Sequence, residues 1–142
     1  MKLIFCLLFA SLCGLSQNTK EVIFTDKAPK PIGPYSQAVR TGNTLYVAGQ
    51  VGIKPGGDID SSSIENETIR VLQNIKSILE AANMELSHVV KTTIYVTDLK
   101  NFKKINDIYA SWFPKDPPAR ETVEVKALPK GAHLEISVIA VK

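Results

Sequence analysis

The segment His133–Val141 constrains the fold more than any other part of this chain. Leu134, Ile136, Val138 and Ala140 alternate with His133, Glu135, Ser137, Ile139 and Val141. One face of such a strand is wholly apolar, and the other ends on two β-branched aliphatics. A strand with one wet face alternates apolar with polar residues, so this pattern calls for cover on both faces. The helical segments upstream can cover one of them. Val71, Leu72, Ile75, Ile78, Leu79 and Ala82 recur at helical spacing behind Ser62–Glu65, which has the spacing of a capping box, and Asn83 suits a left-handed stop. Phe102, Ile105, Tyr109, Trp112 and Phe113 form a second stripe, ended by Pro114. With both helices used on one side, the other face needs a second copy of the chain. A homo-oligomer follows, with Glu135 near a subunit boundary.

Further strands are expected at Glu21–Thr25, Tyr35–Arg40, Leu45–Ala48, His88–Thr97 and Thr122–Leu128, with Val90, Ile94 and Val96 sharing one face. Thr41-Gly-Asn-Thr44 is a hairpin signal, and 27–34 and 51–60 are loops rich in Pro and Gly. The order β-β-β-α-β-α-β-β predicts an α+β domain with both helices on one face of the sheet.

The other end of the chain is different in kind. Met1–Ser16 holds both cysteines, Cys6 and Cys13, and its apolar run Leu3–Leu15 follows the single charge of Lys2. That run is shorter than the roughly 20 residues of a spanning helix, so no stable membrane anchor is expected. It reads as a secretory leader cleaved after Ser16, leaving 17–142 as one domain that is secreted or periplasmic. Uncleaved, the chain would remain cytoplasmic. Without the leader there is no thiol, which removes cysteine nucleophiles, thiolate metal sites and redox pairs. A net charge of +3 over 142 residues gives no reason to expect nucleic acid as a partner.

Motifs that would name an enzyme are missing. His88 and His133 stand alone, with no HExxH, so no metal is expected. There is no P-loop, GxGxxG or GxSxG. Pro31–Pro34 reads as a rigid loop, and Asn66-Glu-Thr68 is a glycosylation acceptor only in form. Four segments remain: Ile32-Gly-Pro-Tyr-Ser-Gln-Ala38, Val47-Ala-Gly-Gln50, Pro117-Pro-Ala-Arg-Glu-Thr-Val-Glu-Val125 and Leu128-Pro-Lys-Gly-Ala-His-Leu-Glu-Ile136. The last two read as a hairpin, with Arg120 just ahead of one strand and Glu135 within the other. A guanidinium can bind a substrate carboxylate through two parallel N–H···O bonds, leaving Glu135 to position a water. A structural Arg120–Glu135 ion pair is an equal reading of the same residues.

In this order, those segments together with Val89–Leu99 (VVKTTIYVTDL) resemble the RidA family of reactive intermediate/imine deaminases, over about Val22–Val141. The resemblance implies a chorismate-mutase-like fold: a six-stranded, mostly antiparallel sheet with two helices on one face, assembled as a homotrimer with a cleft at each subunit interface. It implies hydrolysis of small 2-enamino and 2-imino acids, such as 2-aminoacrylate and 2-iminopropanoate, to 2-oxo acids and ammonia, without a cofactor. Arg120 matches the family's carboxylate-binding arginine, Glu135 its water-positioning glutamate and Tyr35 its pocket tyrosine. Gly49 supplies backbone at the pocket floor, and Asn106 matches an asparagine beside the cleft. Thr122 stands where many relatives have Cys, in a contact made partly by the backbone N–H. Ala48 stands where many have Ser. These two departures and the export signal keep a non-catalytic trimeric binding module for small carboxylates as the alternative. An RNA-acting relative, ribonuclease or translation inhibitor, is a third reading that the low charge disfavours.

Overall fold

A computed structural model of the chain describes residues 19–54, 56–60 and 62–142. The expected leader and its cleavage point lie outside the described residues. The strands are β1 (Glu21–Ile23), β2 (Ala38–Thr41), β3 (Thr44–Val51), β4 (Val89–Val96), β5 (Ala119–Glu124) and β6 (Leu134–Val141). The helices are α1 (Ile64–Ala81), between β3 and β4, and α2 (Phe102–Trp112), between β4 and β5. Together the strands form one sheet in the order β1-β2-β3-β6-β4-β5. Every neighbouring pair is antiparallel except β4–β5, which is parallel. The α+β class and the element order are those expected from the sequence.

β6 lies inside the sheet, between β3 and β4. Its residues Leu134, Ile136, Val138 and Ala140 are buried against α1, whose stripe of Val71, Leu72, Ile75, Ile78 and Leu79 completes the core. α2 packs beside α1 and reaches the sheet through Tyr109, whose hydroxyl donates to Thr92 Oγ1 at 2.9 Å. Tyr109 also stacks on Phe113, with ring centroids 4.6 Å apart. No element of the described residues covers the opposite face, where Tyr46, Val123 and Val141 stand exposed.

Local rules set the boundaries. Asn83 adopts φ 54, with Asn83 N–H on Glu80 O and Met84 N–H on Leu79 O, the paired bonds of a Schellman stop. Gly42, at φ 54, turns the β2–β3 hairpin. Three expectations need correction. The helix cap is Ser63, whose Oγ accepts from Asn66 N–H at 3.1 Å; Ser62 instead accepts from the Asn66 side chain and donates to Asp60. Val90 does not share a face with Ile94 and Val96. β4 carries one extra residue between Val89 and Lys91, which brings Val89 inward and leaves Val90 exposed. Finally, β5 starts at Ala119 and forms no hairpin with β6, because β4 lies between them.

The cap assignment is testable by urea unfolding. Ser63→Ala should cost about 1 kcal/mol, and Ser62→Ala, at an exposed side-chain bond, a smaller fraction of that. The reverse order would place the helix start one residue earlier.

Candidate functional site

Alternation along β6 puts Glu135 on the face opposite the helices. It pairs with Val51 of β3 and Tyr95 of β4, and it opens onto a cavity of about 490 Å³. Tyr35, Ala48, Gly49, Ile32, Ile53 and Pro129 contribute to the wall. The floor is made by a bulge. β3 and β6 pair at Val47–Val138 and Gln50–Ile136, so β3 holds one residue more than its partner over that stretch. The buried Gln50 amide ties the distortion down, donating to Ala48 O at 3.1 Å and Gly49 O at 3.3 Å. A Cβ on Gly49 would overlap the Glu135 carboxylate, so glycine is required for that carboxylate to lie against the strand.

A second buried amide shapes the cavity's lip. Gln37 accepts from Thr25 N–H at 2.7 Å and donates to Thr25 O and Pro29 O, each at 2.9 Å. It thereby clamps the Pro-rich 27–34 loop. Tyr35 stands at the loop's end, its N–H on Gly33 O at 2.9 Å and its hydroxyl accepting from Ile32 N–H at 3.3 Å. Burial pushes the Glu135 carboxyl above the usual carboxylate range, because removal from water disfavours the charged form.

Arg120 is elsewhere. On β5 it pairs with Thr92, which in turn pairs with Val138, and both of those face the helices. Arg120 therefore lies on the helix side of the sheet, and Glu135 on the other. Its Nη2 donates to Asn106 Oδ1 at 2.8 Å, and its guanidinium carbon stands 4.7 Å from the Tyr109 ring centroid and 5.9 Å from that of Phe102. Thr122, two residues on, shares that side. The expectation of one hairpin carrying Arg120 and Glu135 is overturned, and so is the Arg120–Glu135 ion pair.

The six candidates thus fall into two groups within one chain. Tyr35, Gly49 and Glu135 line the cavity, while Arg120, Asn106 and Thr122 gather at the β5 edge beside α2. Asn106 and the π faces of Tyr109 and Phe102 fix the guanidinium while leaving most of its donors available. Gln37 and Gln50 are supporting residues that the sequence did not reveal; the one signal that could have found them is their place two residues after Tyr35 and directly after Gly49. Among the described residues, no three His, Cys, Asp or Glu side chains gather closely enough to hold a metal ion.

The chain as a whole is similar to known proteins. The family model described as Endoribonuclease L-PSP matches residues 25–142. A chloroplastic Reactive Intermediate Deaminase A of Arabidopsis thaliana is 47% identical over 93% of this chain and 72% of its own. A 2-iminobutanoate/2-iminopropanoate deaminase of Homo sapiens is 41% identical over 90% of this chain and 94% of its own. The crystal structure of RidA from an Antarctic Psychrobacter superposes with a TM-score of 0.84 at 41% identity, covering 86% of this chain and 99% of that one.

Gly49→Ala isolates the carboxylate's seat. The atoms nearest the new Cβ all belong to the flexible Glu135 side chain, so the variant should fold, and its crystal structure should show the carboxylate swung away from β3. A Glu135 carboxylate left in place would contradict the role given to Gly49.

Proposed function

The chain belongs to the RidA family, and we propose that it hydrolyses reactive 2-imino and 2-enamino acids, 2-iminopropanoate among them, to 2-oxo acids and ammonia. One observation carries the reading. A half-buried carboxylate with raised proton affinity faces an open cavity, while the arginine able to anchor a substrate sits on the opposite side of the same sheet. Neither group serves the other within one chain, so each is free to act on something brought between two copies.

The assembly that joins them is a homotrimer. The uncovered sheet face, with Tyr46, Val123 and Val141 exposed, packs against neighbouring copies, and each cleft combines Glu135, Gly49 and Tyr35 of one copy with Arg120, Asn106 and Thr122 of the next. Asn106 already accepts from one guanidinium N–H, and the remaining donors grip the substrate carboxylate as a fork. The Thr122 backbone lies beside that grip, and Tyr35 walls the cavity.

Glu135 orients a water and takes its proton as the oxygen attacks the imine carbon. The C=N pair of the protonated imine moves onto nitrogen, and the resulting carbinolamine takes the proton back from Glu135 on that nitrogen. Its C–N bond then breaks as the hydroxyl gives its proton to Glu135, and ammonia and the 2-oxo acid leave. An enamine is first protonated on carbon to give the imine. Each step moves a proton and a bonding pair between substrate, water and Glu135, and none calls for an added cofactor. Holding the water and the imine in contact supplies most of the acceleration. A non-catalytic module for small carboxylates is the second reading, favoured by Ala48, which gives the cavity wall a methyl and no hydroxyl.

An assay of semicarbazide competition for imines made by an amino-acid oxidase separates the two readings. Arg120→Ala should abolish the acceleration and weaken binding of the 2-oxo acid product. Glu135→Gln should lower kcat about 10³-fold while sparing product binding. A wild-type protein that binds the product without accelerating hydrolysis would leave the binding module. The pH profile has a defined sign. Burial keeps Glu135 protonated to higher pH than an ordinary carboxylic acid, and the deprotonated form is the one that takes the water's proton. kcat/KM should therefore fall, as pH is lowered, through an apparent pKa above the usual carboxylate range of about 4.3. A limb within or below that range would contradict the role of burial.

A further inference from the structure

Glu67 is the one fully buried charged residue among the described residues, with 0% of its surface exposed, and the mechanism above does not use it. It stands in the first turn of α1, yet its side chain serves the sheet. Oε1 accepts from His133 N–H at 2.8 Å and from Leu134 N–H at 3.5 Å, and His133 Nδ1 lies 2.8 Å from Oε2. These are the two residues immediately before Glu135. The same side chain is pressed against the other strand that flanks Glu135. Gly52 directly follows Val51, the β3 partner of Glu135, and a Cβ there would overlap Glu67 Cγ. Asn74, two turns further along the same face of α1, adds to this by donating to Ile53 O at 2.9 Å and Val51 O at 3.3 Å.

We propose that Glu67 is a positioning residue for hydrolysis: its carboxylate fixes the start of β6, and its Cγ the end of β3, so that Glu135 is held at a set depth against Gly49. The inference rests on the deaminase reading. Two observations separate this role from filling space. The bonds go to backbone N–H groups beside Glu135, and Gly52 leaves out a side chain so that Glu67 can reach them. A carboxylate a fraction of an ångström out of place still binds water but no longer aims it, and misplacement by about 1 Å costs on the order of 100-fold in rate. Arg120 belongs to the other group of residues, so anchoring of the substrate carboxylate is untouched.

The test compares Glu67→Ala, Glu67→Gln and Gly52→Ala with wild type, at a temperature where thermal melts show each to be folded. Glu67→Ala should lower kcat about 100-fold and leave the Kd for the 2-oxopropanoate product within about threefold. Glu67→Gln keeps an acceptor oxygen for the two backbone N–H groups and should stay within about threefold of wild type. Gly52→Ala, which displaces Glu67 without deleting it, should lose kcat as Glu67→Ala does, and it keeps the inference testable if Glu67→Ala does not fold. Folded Glu67→Ala or Gly52→Ala protein with wild-type kcat would overturn the proposal, as would a Gln variant as slow as the Ala one. Should wild type itself not hydrolyse imines, the deaminase reading fails, and crystal structures decide this inference alone. A Glu135 carboxylate shifted in Glu67→Ala or in Gly52→Ala supports it, and one unmoved in whichever variant folds overturns it.

Discussion

Side chains paired across neighbouring strands share a face of the sheet, and that rule governs the rest of this molecule. Through Thr92 and Val138 it assigns Arg120 to the helix side, and through Val51 and Tyr95 it assigns Glu135 to the uncovered side. Glu135 could not change sides without a one-residue slip of β6, which would turn the apolar set of that strand out of the core. The burial of Leu134, Ile136, Val138 and Ala140 therefore keeps Glu135 on the uncovered side, while the β4 pairing, Asn106 and Tyr109 keep Arg120 on the other. Within one chain the arginine and the glutamate never meet. Under the proposed mechanism, this separation makes association between copies part of the chemistry and not an addition to it.

The Glu135 side of the sheet is built by subtraction and by buried amides. Gly49 omits the Cβ that would occupy the carboxylate's place, and Gly52 omits one that would displace Glu67. Gln37, Gln50 and Asn74 each spend their amides on carbonyl oxygens of irregular backbone that β-pairing leaves unmet. The outcome is a rigid concavity with one titratable carboxyl, whose proton affinity is raised by burial and not by a neighbouring charge. On the α2 side the logic is opposite. Arg120 is presented by aromatic faces and a single amide oxygen, partners that fix its plane without neutralising it.

Much of this was legible in the sequence. The alternation of 134–141 gave β6 and its double demand for cover, the stripe 71–82 gave α1, and Asn83 marked its end. What escaped had local causes. The bulge at Val90 inverts a parity that counting by twos assumes to be unbroken. Ser62 and Ser63 both precede helix-forming residues, and only the backbone decides which becomes the cap. A hairpin of 122–128 with 133–141 requires neighbours in sequence to be neighbours in the sheet, whereas β4 is inserted between them. With β4 between them, the same six candidate residues divide into two groups, one at the cavity and one at the β5 edge. Buried Glu67 carried no signal at all, since an acidic residue in a first helical turn ordinarily faces water.

The central claim is that Glu135 of one copy works with Arg120 of another. Mixing the two inactive variants tests it directly. Arg120→Ala and Glu135→Gln, unfolded together and refolded as mixed trimers, should recover about a quarter of the wild-type imine hydrolysis, the share of interfaces that receive an intact half from each copy by random assembly. Mixed trimers confirmed by mass spectrometry that show no recovery would place both residues in one copy's site and contradict the account.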